Sequence, residues 1–192
     1  MSVPSDRASS PAAEKGNGFA AGKNDSRAAG TQPAPIGVLL VCLGNICRSP
    51  TAHSVLQQRI DARNLQDSIR VDSAGTGDWH VGKPPDHRTT RAARARGYRL
   101  EDLVARQVRE ADFFDFDYLL AMDRDNLADL EARRPADADC QIQLFLDYSQ
   151  RPEVEVPDPY NSGSEGFELV LDMVEEAADR LLAALVERHF RA

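Results

Sequence analysis

The sequence predicts an α/β fold, in which a three-layer α/β/α arrangement is built on a four-stranded parallel sheet. Apolar, strand-like runs alternate with amphipathic helical patterns from residue 36 onward. The first run, at 36–41 (IGVLLV), is unbroken, which is typical of a central parallel strand buried on both faces. The short segment 42–49 then leads into a helical pattern, at the sheet edge where open α/β folds bind ligands.

Length and composition predict one domain behind an N-terminal extension. The chain has 192 residues and a net charge of −8, which argues against a general nucleic-acid binder. Residues 1–35 are rich in Ser, Ala, Gly and Pro, so we expect a disordered extension before a domain at 36–192. No apolar run approaches the ~18 residues that span a membrane. Three cysteines, two of them in one loop, predict no disulfide framework and fit a reducing, cytoplasmic compartment.

The first helix is expected after the loop 42–49, over about 50–63. Ser49 is its predicted N-cap, and Pro50 suits its first turn. Its apolar stripe consists of Ala52, Val55, Leu56 and Ile60. We interpret His53, one turn into the helix, as an exposed histidine rather than a catalytic base. A second strand at 69–73 follows, so the crossover should be right-handed.

The next segment contains the only tryptophan and a basic helix. Trp79 lies in the irregular loop 78–85 and fits either a wall of a binding cleft or a lid over the core. Asp86 is the predicted N-cap of a helix over 87–96 that ends at Gly97. The arginines of this region fit either a solvated face or a field that attracts anionic partners; they are Arg88, Arg91, Arg94, Arg96 and Arg99.

The C-terminal part supplies the remaining two strands. The pattern predicts a strand at 118–122, a helix at 124–133 and a strand at 141–146. A long loop at 147–164 precedes an amphipathic helix at 167–190. Cys140, just before the fourth strand, is interpreted as a packing or surface thiol.

The loop 42–49 has the features of a site for one tetrahedral oxyanion. Its backbone N–H groups and the positive end of the following helix would point at one spot. The guanidinium of Arg48 can bind two phosphate oxygens and stabilise a thiolate at Cys42. Gly44 permits close approach of the backbone and a positive φ. A nucleotide-phosphate loop fits less well, because the chain has no GxxxxGK motif. No cluster has metal-ligand spacing, so we predict no metal.

The run 41–50 (VCLGNICRSP) resembles the signature of the low-molecular-weight protein tyrosine phosphatases. Further matching runs occur in the family's order at 72–82, 105–107, 118–123 and 158–160. Together they cover the chain from residue 37 to the C-terminus. The resemblance implies a cytoplasmic hydrolase without a cofactor, a monomer or weak dimer, acting on phosphotyrosine-containing proteins through a cysteinyl-phosphate.

The resemblance also implies a role for each site residue. Cys42 would be the nucleophile, Arg48 the phosphate clamp, and Asp158 the general acid and then the base. Asn45 would hold the strained backbone of the loop, helped by Ser73 as an outer support. Substrate or phosphate contacts are implied for Leu43, Gly44, Asn45, Ile46, Cys47, Ser49, Trp79 and Tyr160.

Two positions depart from the family's pattern. Some relatives carry a histidine where this chain has Leu103, so the hydrogen bonding behind the loop is expected to differ. Many carry a second tyrosine where Asn161 stands, which removes one aromatic wall.

The resemblance implies that Ser49 would stabilise the thiolate of Cys42 both as nucleophile and as leaving group. Cys47 has two interpretations: it packs under the loop, or it traps an oxidised Cys42 as a disulfide.

Three other functions are compatible with the same loop. An arsenate reductase would need cysteines on a mobile downstream segment, but residues 80–130 contain none. A phosphoarginine phosphatase resembles this family too, but Ile46 stands where those relatives tend to carry a threonine. A binding module without catalysis is disfavoured because Cys42, Arg48 and Asp158 are all present.

Overall fold

A computed structural model describes residues 34–190. The extension predicted at 1–35 lies outside this range except for its last two residues, so its disorder stays a prediction. Within the described range, no helix combines the length and the apolar character needed to cross a membrane.

Four parallel strands form the central sheet, as predicted. They are β1 (Ile36–Cys42), β2 (Ile69–Gly75), β3 (Tyr118–Ala121) and β4 (Gln141–Leu144). The strand order is β2-β1-β3-β4, which places β1 between two parallel neighbours. The fourth strand is shorter than predicted, because Phe145–Tyr148 turns into a single 3₁₀ turn.

Within residues 34–190, five helices flank the sheet. They are α1 (Arg48–Asp61), α2 (His87–Ala95), α3 (Asp112–Asp115), α4 (Arg124–Arg133) and α5 (Ser164–His189). The sequence pattern missed α3, which is a single turn. Asp86 caps α2 as predicted, since its side chain accepts hydrogen bonds from the N–H groups of Arg88 and Thr89.

The alternation of β1 divides the interior into two cores. Val38 and Leu40 pack with α1 and α5, whereas Leu39 and Val41 pack with α3 and α4 on the opposite face. All four side chains are fully buried, and each contributes about 1.5–3 kcal/mol by leaving water. The strand is thereby fixed from both sides, which fixes the position of Cys42 at its end.

The end of β2 lies against the loop that leaves β1. Cys42 pairs with Gly75 in the register of the two strands. A Cβ atom at Gly75 would lie 2.8 Å from the carbonyl oxygen of Leu43, so only glycine permits this approach. The N–H groups of Thr76 and Gly77 then donate to the carbonyl oxygens of Cys42 and Leu43, both at 2.9 Å. These contacts hold the first half of the loop in place.

Candidate active site

The loop between β1 and α1 forms the floor of a cleft of about 470 Å³. Cys42 lies at its base and is 3% exposed. Its Sγ accepts a hydrogen bond from the N–H of Asn45 at 3.2 Å and lies 3.1 Å from the hydroxyl of Ser49. A sulfur anion at this position would therefore be stabilised by two donors and by the N-terminal end of α1.

The cleft brings together most of the residues that the sequence singled out. Of the predicted set, its lining contains Cys42, Leu43, Gly44, Ile46, Cys47, Arg48, Trp79, Asp158 and Tyr160. Asn45, Ser49 and Ser73 lie beneath it, all buried. His80 and Asn161 also line the cleft, and no role was predicted for His80.

Asn45 ties the loop to three neighbouring segments. Its amide nitrogen donates to the hydroxyls of Ser49 at 2.9 Å and Ser73 at 3.0 Å. Its Oδ1 accepts from the N–H of Arg106 at 3.0 Å. The residue has a φ of 54°, a left-handed conformation that a short polar side chain tolerates best among non-glycine residues.

The positive φ that a glycine permits at position 44 occurs at Asn45 instead. A Cβ atom at Gly44 would lie 2.8 Å from Cδ2 of the His80 ring, so a side chain there would displace the ring. His80 is thereby placed against the loop backbone, a contact that requires the folded chain and that the sequence alone did not indicate.

The start of α1 also differs from its prediction. The helix begins at Arg48 with Cys47 in the N-cap position and no side-chain cap, so the prediction of Ser49 as N-cap is wrong. The Ser49 hydroxyl is engaged with Cys42 and Asn45 instead, and reaches the carbonyl oxygen of Ala74 at 3.3 Å. Its contribution is to the loop rather than to the helix terminus.

Arg48 is a buried cation held by two carboxylates. It is 3% exposed; its Nη1 donates to Asp123 and, at 3.1 Å, to the carbonyl oxygen of Val156, and its Nη2 donates to Asp158 at 3.2 Å. Burial would lower the pKa of Arg48, but Cys42 and the two carboxylates outweigh it and raise the pKa above its ordinary value. The cleft therefore contains a permanent positive charge beside the sulfur.

Asp123 contacts Arg48, and the sequence pattern assigned it no role. It lies two residues after β3, which pairs with β1, so it is at the same sheet edge as the loop. A charged residue just after the strand adjacent to β1 was the signal that could have identified it.

The opposite side of the cleft is formed by exposed groups. The Asp158 side chain is 44% exposed, and its Oδ1 accepts a hydrogen bond from the N–H of Tyr160 at 3.0 Å. Tyr160 and Trp79 are 47% and 55% exposed. Trp79 thus lies at the mouth of the cleft and is not a lid over the core. The two rings and the carboxyl group border the entrance together.

The two other cysteines are buried. Cys47 is 5% exposed, and burial raises its pKa to about 12, so it is a thiol at neutral pH. Its role as a trap for oxidised Cys42 stays a prediction. Cys140 is 5% exposed and belongs to the core on the α3–α4 side, which confirms the packing interpretation and excludes a surface thiol.

His53 is not the exposed histidine that was expected. Its side chain is 13% exposed, and its Nδ1 lies 3.4 Å from the hydroxyl of Ser73 and 4.0 Å from Asp72. Burial lowers the pKa of His53, with Asp72 opposing and Arg106 reinforcing the shift. His53 and Leu103 line one small cavity. A histidine from α1 therefore lies beside the position where some relatives carry their own.

Comparisons with known proteins agree with this geometry. The sequence model of the family described as low molecular weight phosphotyrosine protein phosphatase matches residues 37–190. A putative low molecular weight protein-tyrosine-phosphatase of Synechocystis is 45% identical over 150 residues, which are 77% of this chain and 95% of that protein.

Solved structures give the same result. The crystal structure of YfkJ from Bacillus subtilis aligns with a TM-score of 0.77 and 37% identity, over 83% of this chain and 99% of that one. A drosophila arginine phosphatase aligns with a TM-score of 0.73 and 36% identity, over 80% of this chain and 99% of that one. The chain therefore belongs to the low molecular weight phosphotyrosine protein phosphatase family, and with it to the phosphoric monoester hydrolases.

Proposed function

We propose that the chain hydrolyses phosphotyrosine in proteins through a cysteinyl-phosphate intermediate, with Cys42 as nucleophile, Arg48 as phosphate clamp and Asp158 as general acid and base. The observation that carries this proposal is the meeting of all three groups in one cleft: the sulfur at its base, the guanidinium beside it and the carboxyl group at its rim. The sulfur would attack phosphorus from below, the guanidinium would stabilise the phosphate oxygens beside it, and the carboxyl group would protonate the leaving group at the rim.

In the first step, the Cys42 sulfur attacks phosphorus while the bond between phosphorus and the phenolic oxygen breaks. The guanidinium of Arg48 and the N–H groups of the loop would stabilise the equatorial oxygens. Asp158, as the carboxylic acid, gives its proton to the phenolic oxygen. The conjugate acid of that leaving group has a pKa near ~10, so protonation assists strongly, and such catalysis typically contributes ~10²–10⁴-fold.

In the second step, water attacks the cysteinyl-phosphate. Asp158, now the carboxylate, takes the proton of the water, the bond between phosphorus and sulfur breaks, and inorganic phosphate leaves. The hydroxyl of Ser49, 3.1 Å from the sulfur, would donate a hydrogen bond to the departing thiolate. The cycle ends with the enzyme in its starting state.

An aromatic substrate fits the walls of the cleft. Trp79 and Tyr160 border its mouth with rings that are about half exposed, and Ile46 lines it with an apolar side chain. The alkyl side chain of Ile46 offers no hydrogen-bonding group to a guanidinium, which favours a phenyl group at this position. The structural likeness to a drosophila arginine phosphatase makes phosphoarginine the second substrate to test.

The experiment compares turnover of phosphotyrosine and phosphoarginine peptides of identical sequence by the full chain. We expect a higher kcat/KM for phosphotyrosine, and Ile46→Thr should reduce that ratio. Acid quenching during turnover of a radiolabelled substrate should leave the label on Cys42, with Cys140→Ser as the control that keeps it. Absence of turnover of either peptide, or label on another residue, would refute the proposal.

A further inference from the structure

Arg88, on α2, connects the two sides of the cleft. Its Nε and Nη2 both donate to the carboxylate of Asp86 at 3.0 Å, a bidentate pair. The Asp86 side chain is 10% exposed. The backbone N–H of Asp86 donates to the carbonyl oxygen of Ile46 at 2.8 Å. The guanidinium is therefore held at a fixed position relative to the phosphate-binding loop.

The same guanidinium also contacts two aromatic rings. The Cζ atom of Arg88 lies 5.1 Å from the centre of the Tyr160 ring and 5.1 Å from that of the Phe167 ring. Phe167 is buried in the first turn of α5, so it is a fixed partner, whereas Tyr160 is 47% exposed. A guanidinium at this distance from a ring is attracted to it, which favours one orientation of the exposed Tyr160 ring.

Tyr160 also contacts the carboxyl group at the rim, through its backbone. The backbone N–H of Tyr160 donates to Asp158 Oδ1 at 3.0 Å, while Asp158 Oδ2 accepts from Arg48 at 3.2 Å. The ring that Arg88 contacts and the N–H that holds Asp158 belong to one residue, and a shift of its backbone would remove one of the two contacts of Asp158. The described contacts thus form a continuous series from the loop through Asp86 and Arg88 to Tyr160 and Asp158.

We propose that Arg88 is a positioning residue for proton transfer, acting through Tyr160 on Asp158, and this inference depends on the function proposed above. Arg88 is not the phosphate clamp, because the lining of the cleft contains Arg48 but not Arg88. Replacement of Arg88 should therefore lower kcat/KM for substrates whose leaving group needs a proton and leave kcat/KM nearly unchanged for substrates whose leaving group does not.

The test measures kcat/KM for Arg88→Leu with two substrates that differ in leaving group, phosphotyrosine and dinitrophenyl phosphate. We expect a loss of about 10–100-fold with phosphotyrosine, the size that a small misplacement of a reacting group produces, and a loss of about twofold or less with dinitrophenyl phosphate. Arg88→Lys, which retains the charge but not the fork, should fall between wild type and Arg88→Leu. Arg91→Leu is the matched control, since Arg91 is an exposed arginine on the same helix, and should behave as wild type.

A double-mutant cycle shows whether the effect passes through Asp158. On an Asp158→Ala background, Arg88→Leu should cause no further loss that depends on the leaving group. If Arg88→Leu lowers thermal stability too far, Asp86→Asn weakens the bidentate pair while keeping a good N-cap, and should give the same pattern at smaller size.

The outcomes separate this inference from the function on which it depends. An equal loss with both substrates, or additive losses in the cycle, would overturn the positioning role while leaving the phosphatase proposal intact. Failure of the wild-type chain to hydrolyse either substrate would overturn the proposed function itself.

Discussion

The two sides of the cleft are built in different ways. On the floor, Cys42, Arg48 and Ser49 are at most 3% exposed, and the loop is held by hydrogen bonds to β2, to residue 106 and to α1. At the rim, the side chains of Asp158 and Tyr160 are close to half exposed and are held by two arginines. The floor is part of the core, whereas the rim belongs to the surface.

This difference follows the chemistry of the proposed substrate, a phosphotyrosine protein. A phosphoryl group has one shape and one charge, so a rigid, preorganised site stabilises its transition state best. The remainder of a phosphotyrosine protein varies and must enter and leave, so the groups that meet it lie on exposed loops. We therefore expect changes in the floor to affect all substrates alike and changes at the rim to depend on the leaving group.

Replacing the sulfur should have the largest effect. Cys42→Ser should lower turnover of phosphotyrosine on the order of 10⁶-fold, as removal of a covalent nucleophile does elsewhere. The donors of the loop remain, so the variant should still bind inorganic phosphate, which titration calorimetry measures. Loss of phosphate binding together with turnover would show that the floor is not an anion site independent of its sulfur.

Removing the rim carboxyl group should have the next largest effect. Asp158→Ala should lower kcat/KM for phosphotyrosine by about 10²–10⁴-fold and that for dinitrophenyl phosphate much less, because only the first leaving group needs a proton. Glu153→Ala is the matched control, since Glu153 is an exposed carboxylate on the same segment, and should leave both values unchanged. Equal losses with both substrates would contradict the acid role and, with it, the contrast between floor and rim.

The support of the floor is tested at its residue of positive φ. Asn45→Gly tolerates the backbone conformation but removes three side-chain hydrogen bonds, each of which contributes about 0.5–1.5 kcal/mol net. We expect a lower free energy of unfolding in urea and a loss of kcat/KM that is the same for both substrates. Asn64→Gly, at an exposed asparagine with a φ of 55°, is the matched control and should change stability by less than about 0.5 kcal/mol. A loss for Asn45→Gly that depends on the leaving group would place this residue with the rim.

The sequence predicted the floor better than it predicted the surroundings of the site. The apolar run of β1, the loop and the start of α1 are continuous in the chain, so their spacing alone located Cys42 and Arg48 at one end of the sheet. The partners of Arg48 are distant in sequence, with Asp123 75 residues away, and only the sheet order brings them together. His80 was missed for the same reason, since its place depends on the space above Gly44.

The error at His53 has a different physical origin. Helical periodicity predicts that only one apolar stripe of the helix is buried. However, α1 packs against both β2 and α5, so His53, which lies outside that stripe, is also covered. Ser49 was misassigned because a serine hydroxyl can serve as an N-cap or, as here, as a hydrogen-bond partner of neighbouring side chains. In both cases the local pattern was correct and the tertiary contacts decided the outcome.

The smallest expected effect concerns the pH dependence of the floor. His53 lies behind Ser73, and the charged groups near it are Asp72 and Arg106 together with Asp61 and Arg99 of the cavity that it lines. Its pKa in the folded chain is lower than the ordinary value of 6.5, so below that pH the unfolded chain binds more protons and stability falls. His53→Gln should flatten the pH dependence of the free energy of unfolding below about pH 6.5. If His53→Gln leaves the pH dependence of the free energy of unfolding unchanged, burial of the His53 ring does not contribute to that pH dependence.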